Sequence, residues 1–281
     1  MADYGVRSSV SDLRRAALRT PAVTGDFVGA GWRAPDPDLL LRQHEAFAQL
    51  LTDLGVQVDV LAAAQDQVDA VFAYDPAFVI GSGVVEFRSA KPARQREGGE
   101  LAAAVAALGV PVVGKLAEGA VMDGGDVCWI ARDLVVAGRG YRTNQAAHDQ
   151  LRAWLAAEGQ ELVTVDLPHD RGPAHVLHLM SGISPITDDL AVVYPPIMPV
   201  PLLQLLAERG VATVEVTAAE YETLGCNILA VRPGVAVVFD GNPQVTADLR
   251  ARGVEVHVAQ ASELAKGDGG PTCLTRPLAR A

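Results

Sequence analysis

The sequence contains no apolar run near the roughly 20 residues that a membrane-spanning helix needs. Its opening, MADYGVRSSV, lacks the basic-then-apolar order of a secretion signal. These two absences make a cytoplasmic protein without a membrane anchor the expectation. Clusters of Lys and Arg are missing too, and the formal net charge is −11. Nucleic-acid binders neutralise phosphates with clustered cations, so a nucleic-acid partner is not expected. An acidic surface draws cationic small molecules instead. The C-x2-C spacing of a zinc site is also absent. Cys128, Cys226 and Cys273 cannot all pair, so free thiols are expected. Cys128, between Val127 and Trp129, reads as a small buried hydrophobe, as does Cys226. Cys273, which follows the mobile turn GDGG at 267–270, stands apart.

Apolar residues make up 49% of the chain and charged residues 20%, enough for a buried core and unlike a disordered composition. A length of 281 residues allows one large domain or two small ones. An internal repeat decides between them. A helix-like segment, a glycine and an alternating apolar strand recur around Gly55, Gly109, Gly159, Gly210 and Gly253, at spacings of 54, 50, 51 and 43 residues. Segments such as QHEAFAQLLTDLG and NQAAHDQLRAWLAAEG place apolar residues every three or four positions, and glycine closes each helix. Hairpin-like pairs precede the helices, turning at Ser82-Gly83, Arg132-Asp133, Asp188-Asp189 and Pro233-Gly234. CLTRPL near the C-terminus supplies a further strand, and YGVRSSV near residue 5 is expected to pair beside it. The expectation is an α/β propeller of five hairpin-helix-strand units around a pseudo-fivefold axis, forming a single domain over 1–281. No unit can bury its own sheet face alone, so strand ends should point into a shared central cavity.

The polar residues at those strand ends are the candidates for chemistry. VDAVFAYDP carries Asp69 and Asp75, FRSAKPARQRE carries Arg88 and Arg94, and MDGGDV carries Asp123 and Asp126. GRGYRTNQ adds Arg142, HVLHLMSG adds His178, and GDGGPTCLTRP adds Asp268 and Cys273. Several have plainer readings. A histidine between two leucines is usually a core residue, and acids flanking two glycines make an ordinary Asx-type turn. Asp126 keeps that structural reading. His175, three residues before His178, is expected on the opposite side of a strand.

With these motifs in this order, the chain resembles the guanidino-group-modifying enzymes, and among them the dimethylarginine dimethylaminohydrolases. The resemblance runs from about residue 40 onward. It implies the pentein fold, which agrees with the repeat, and a hydrolase that cleaves a C–N bond of a guanidino amino acid. By the resemblance Cys273, in D-G-x-x-T-C, is the nucleophile. His178, in H-L-x-S, is the general acid/base, and Asp123, in DGGD, is the carboxylate that works with it. Asp75 then binds the guanidinium, Asp69 lies near the amino-acid end, Arg94 and Arg142 grip the α-carboxylate, and Asp268 sits beside the leaving group.

The chemistry asks for these residue types. Carboxylates hold a guanidinium planar and protonated through charge-assisted hydrogen bonds. A thiolate is well suited to attack its weakly electrophilic carbon, and an imidazole can protonate the departing amine and then deprotonate water. The intermediate would be a thiouronium on Cys273. No metal and no organic cofactor is required. The chain departs from dimethylargininases at Tyr74-Asp75, where that family has two adjacent acids; Tyr74 is expected beside the substrate as a hydrogen-bonding phenol. Methylated arginine is the first substrate expected, and deimination of arginine or of another guanidino acid is the alternative. A catalytically silent pentein binding module is the non-enzyme alternative. The sequence leaves room for a homodimer, and the segment at 20–35 is where a lid would fall.

Overall fold

The computed structural model describes residues 4–281. The first strand, β1 (Leu13–Arg19), leads through a short helix, α1 (Phe27–Ala30), to α2 (Pro37–Asp53) and β2 (Gln57–Leu61). Next come β3 (Ala77–Ile80), β4 (Gly83–Glu86), α3 (Glu97–Ala107) and β5 (Val112–Lys115). The pattern repeats as β6 (Val127–Ala131), β7 (Leu134–Arg139), α4 (Gln145–Ala157) and β8 (Glu161–Asp166). It repeats again as β9 (Ile183–Thr187), β10 (Leu190–Val193), α5 (Val200–Glu208) and β11 (Ala212–Glu215). After the short α6 (Ala218–Tyr221) follow β12 (Leu229–Arg232), β13 (Val235–Phe239), α7 (Pro243–Ala251) and β14 (Glu255–Ala259). The short α8 (Pro271–Leu274) and β15 (Arg276–Arg280) end the chain.

These strands form five three-stranded sheets, ordered β15-β1-β2, β3-β4-β5, β6-β7-β8, β11-β10-β9 and β12-β13-β14. In each, the middle strand runs antiparallel to one neighbour, a hairpin partner in four sheets and the C-terminal β15 in the first, and parallel to the strand that returns after the helix. The parallel return requires a crossover, which the helix supplies. This is the hairpin-helix-strand unit read from the sequence, arranged as a pentein-type propeller. The five glycines read as helix stops take φ between 71° and 91°, the left-handed conformation that lets the chain leave each helix toward its third strand. The first two strands of a unit are buried along their length, whereas β8 and β14 alternate buried and exposed residues. Hairpins therefore line the interior and the third strands form the rim. Helices and sheets of adjacent units share continuous apolar clusters, one of them joining Phe78, Leu101, Trp129 and Leu151.

Two local expectations are corrected. The strand beside the C-terminal one is Leu13–Arg19, not YGVRSSV; Gly5 makes only an isolated bridge to Ala279. Gly5 has a φ of 114°, and the Ser8 hydroxyl accepts from Val10 and Ser11 N–H, folding residues 8–11 into a turn instead of a strand. The strand itself carries fully buried Ala16, Ala17 and Leu18, which pack closely in the interior. Residues 167–178 also contain no strand, so the alternation argument that set His175 opposite His178 does not apply. His175 is an exposed residue at the mouth of the central cavity.

Phe47 of α2 is 1% exposed and packs edge-on against Phe239 of β13, with ring centroids 6.2 Å apart. Phe47→Ala is expected to cost about 3–5 kcal/mol, seen as a lower urea midpoint with an unchanged slope. A loss under about 1 kcal/mol would show that this junction between the first and fifth units does not contribute as a packed core.

Candidate active site

All five units send a segment to the centre just before their first strand. Asp75 stands two residues before β3, and the Asp123–Asp126 turn runs directly into β6. His178 caps a short 3-10 turn ahead of β9, Asn227 lies two residues before β12, and Cys273 sits on α8 ahead of β15. The segments meet around one cavity of about 600 Å3. Of the residues predicted from sequence, Asp69, Tyr74, Asp75, Arg94, Arg142, His178, Asp268 and Cys273 line it. Asp123 is 1% exposed and lies behind the lining, against His178.

The DGGD turn has a packing reason for each member. A Cβ on Gly124 would come within 2.1 Å of the Tyr74 carbonyl, and one on Gly125 within 2.4 Å of His178 Nδ1. The two glycines thus let the turn press against both neighbours, and Gly125 N–H donates to Asp75 Oδ1 at 3.0 Å. Asp126 reaches beyond its own turn. Its carboxylate accepts from the Thr143 hydroxyl at 2.6 Å and from Leu179 N–H at 2.9 Å, fixing the segment that carries His178. The structural reading of Asp126 stands, with long-range partners in place of a local turn.

His178 is held between two acids. Its Nε2 lies 3.3 Å from Asp123 Oδ2, and its Nδ1 lies 3.8 Å from Asp75 Oδ1. Burial alone would hold the imidazole down, but Asp75, the bond to Asp123 and the nearby Asp126 outweigh it and push it up to about 9. The ring is therefore an imidazolium at neutral pH. Burial works against the charge on Asp123 as well; the His178 bond and the Arg94 charge overcome it and hold Asp123 below the usual carboxylate range.

Arg94 is tied to Asp75 at 2.7 Å and to Glu97 at 2.8 Å, all three deeply buried. Asp69 accepts from Trp32 Nε1 at 2.8 Å and from Lys91 Nζ at 2.5 Å. Lys91 Nζ also donates to the carbonyl of Ala30, so the expected lid segment, here α1 and Trp32, is latched over this end of the cavity. Arg142 approaches Asp123 at 3.7 Å only and is the less committed guanidinium of the predicted pair. Asp268 lies at the mouth, exposed, 3.4 Å from Arg33. Tyr74 differs from its expected part. Its hydroxyl donates to the Val127 carbonyl at 3.3 Å and its ring lies 4.2 Å beneath the Arg276 guanidinium, so the phenol is taken up by the interior.

Cys273 is half-buried at the cavity wall, and its carbonyl accepts Tyr74 N–H at 3.0 Å. Burial pushes the thiol up, Asp75 adds to that, and it lies at about 11. The sulfur accepts from Asn227 Nδ2 at 2.9 Å. Sequence reasoning passed over Asn227, Lys91 and Trp32, all of which line the cavity. For Asn227 a signal existed, since it holds the same place before its strand as Asp75 does. Lys91 stood in the FRSAKPARQRE segment, and only its partner across the chain reveals it. Among the described residues no group of His, Cys, Asp or Glu has the arrangement of a metal site, and no helix is long and apolar enough to cross a membrane.

A fivefold propeller with a thiol, an imidazole and buried acids around its centre defines the pentein class, and the comparisons with known proteins point the same way. The family model for arginine deiminase matches residues 63–213 and 201–280. The arginine deiminase of Listeria welshimeri is 29% identical over 253 residues, covering 74% of this chain and 61% of that protein. The chain thus spans about three-fifths of the length of that relative. The N(G),N(G)-dimethylarginine dimethylaminohydrolase of Streptomyces coelicolor is 30% identical over 241 residues, covering 85% of this chain and 86% of that one. Among solved structures, the Pseudomonas aeruginosa dimethylarginine dimethylaminohydrolase in complex with citrulline superposes with a TM-score of 0.79 at 21% identity, covering 94% and 98% of the two chains. The N-terminal domain of ArgZ, a cyanobacterial arginine dihydrolase, gives 0.82 at 20% identity, covering 96% and 98%. The chain belongs to the arginine deiminase family, within the pentein superfamily that also holds the dimethylargininases.

Because His178 binds its proton more tightly when folded, at about 9 against 6.5 for a free imidazole, its stabilisation is complete below pH 6.5 and lost as pH rises through 9. Urea midpoints of the wild type should fall over that window, and His178→Gln should flatten the fall. An equally steep limb in the variant would place the titrating proton elsewhere.

Proposed function

We propose that this protein hydrolyses a guanidino amino acid through Cys273, with Nω-methylated arginine as substrate and citrulline and a methylamine as products. The single observation that carries the choice of substrate is what surrounds His178. Met180, buried and apolar, lines the cavity two residues after His178, and the Tyr74 hydroxyl is committed to Val127. Asp75 at the cavity wall, with Asp123 behind His178, remains for the guanidinium. A nitrogen that carries methyl groups has fewer N–H donors to satisfy and suits an apolar neighbour better than a carboxylate. The near full-length match to the Streptomyces coelicolor enzyme supports the same reading.

Asp75 would hold the guanidinium, and the incoming cation offsets the burial and the Asp75 charge that together keep Cys273 protonated, favouring the thiolate. Sγ attacks the guanidinium carbon, the C–N bond breaks, and the departing amine takes the proton of the His178 imidazolium. Water then attacks the thiouronium carbon and passes one proton to His178. As the C–S bond breaks, water's second proton leaves to solvent, where the released amine takes it up, and a neutral ureido product and a free thiolate remain. Arg142, with Arg94 behind it, would hold the α-carboxylate, and Asp69 and Lys91 would bound the amino-acid end. Asp268 at the mouth would face the leaving group.

The second reading is deimination of arginine itself, favoured by the family model and by the Listeria welshimeri relative. A citrulline assay with arginine, monomethylarginine and asymmetric dimethylarginine separates the two. Turnover of the methylated compounds is expected, and activity on arginine alone would reverse the order. Cys273→Ser should abolish turnover while leaving Tm within a few degrees; a wild-type rate in that variant would end the thiol mechanism. Arg142→Ala should chiefly raise KM, since a carboxylate clamp binds ground and transition states alike. A loss confined to kcat would remove Arg142 from that role.

A further inference from the structure

Asn227 is the fifth unit's contribution to the cavity, and the steps above use it nowhere. Its amide oxygen accepts Thr272 N–H at 3.1 Å, and its amide nitrogen donates to Cys273 Sγ at 2.9 Å. A flipped amide would set its NH2 against a backbone N–H that can only donate, so the orientation is fixed. The sulfur consequently faces a donor, the partner that a thiolate wants. The two segments are pinned a second time by the Thr272 hydroxyl, which donates to the Ile228 carbonyl at 2.8 Å. The approach also depends on Gly270, where a Cβ would come within 2.6 Å of Asn227 Cγ. The other groups around the sulfur pull both ways. Asp75 opposes its negative charge and Arg94 favours it, while His178 and Asp268 share the cavity.

We propose that Asn227 is a catalytic residue whose amide N–H stabilises the Cys273 sulfur as an anion, both as attacking and as leaving group. The proposal rests on the thiol chemistry above. When the S–C bond forms, the sulfur's electron pair becomes bonding and the N–H contact loses most of its charge. When water's oxygen has bonded to the carbon and the C–S bond breaks, that pair returns to Sγ and the same N–H receives it. One fixed donor thus lowers the energy of the sulfur anion at both ends of the cycle.

The test is the pH dependence of iodoacetamide alkylation at Cys273 in the free protein, read by mass spectrometry at that residue so that Cys128 and Cys226 do not contribute. Asn227→Ala should raise the midpoint by about one pH unit, a tenfold smaller thiolate fraction at a given pH. Asn227→Asp, nearly isosteric and still able to accept from Thr272 N–H, should raise it further by adding a negative charge. Both should lower kcat by roughly tenfold or more while KM stays within about threefold. If the alanine variant fails to fold, Asn227→Leu, close in size with no donor and no charge, carries the test. Midpoints that coincide with the wild type overturn the proposal. Alkylation needs no substrate, so a failure to turn over methylated arginine would strike the proposed function alone, and an unmoved midpoint would strike Asn227 alone.

Discussion

The pairing of β15 with β1 joins Leu13 to Arg280 and Ala17 to Arg276, and through it the last residues of the chain complete the first sheet. Arg276 then reaches the second unit, donating to the carbonyls of Tyr74 and Ala77 at 3.0 and 2.5 Å. These bonds set Cys273, three residues earlier, beside the Tyr74–Asp75 turn. The site exists because the ring closes. Neither the thiol nor its neighbours could find this arrangement from local sequence, since the residues concerned lie some two hundred positions apart.

Asp75 stands at the centre of the resulting electrostatics. One oxygen accepts Arg94, the other accepts Gly125 N–H and lies within reach of His178 Nδ1, and the same charge acts on the thiol. Breaking such a buried set by removing one member leaves an unpaired charge. Asp126 plays the complementary, mechanical part by clamping Thr143 and the His178 segment. Chemistry and support are thus divided between Asp75 and Asp126.

Much of this was legible in the sequence because the signals are local. A glycine that closes a helix and an alternating strand after it announce themselves within a dozen residues, so Gly55, Gly109, Gly159, Gly210 and Gly253 mark the units. The acids, the histidine and the cysteine were legible by motif. What escaped depended on partners distant in sequence. Tyr74 reads as a substrate contact until Arg276 and Val127 take it up, and Lys91 draws no notice until Asp69 and Ala30 appear beside it. Residues 4–10 look as apolar as a strand, but Gly5 and the Ser8 turn divert them, and Leu13–Arg19 takes the place.

The joining of the two chain ends in one sheet has a kinetic consequence. Four sheets can assemble from segments within about 60 residues of one another, whereas β1 must wait for a partner more than 250 residues away. The entropy of closing so long a loop grows only slowly with its length, but the search delays the contact until most of the chain is organised. Through that interval the edge of β1 is unpaired, a template for association with other chains. Cys273, three residues ahead of Arg276, is expected to be seated only as that closing contact forms, so the thiol would reach the cavity only once the rest of the architecture is in place.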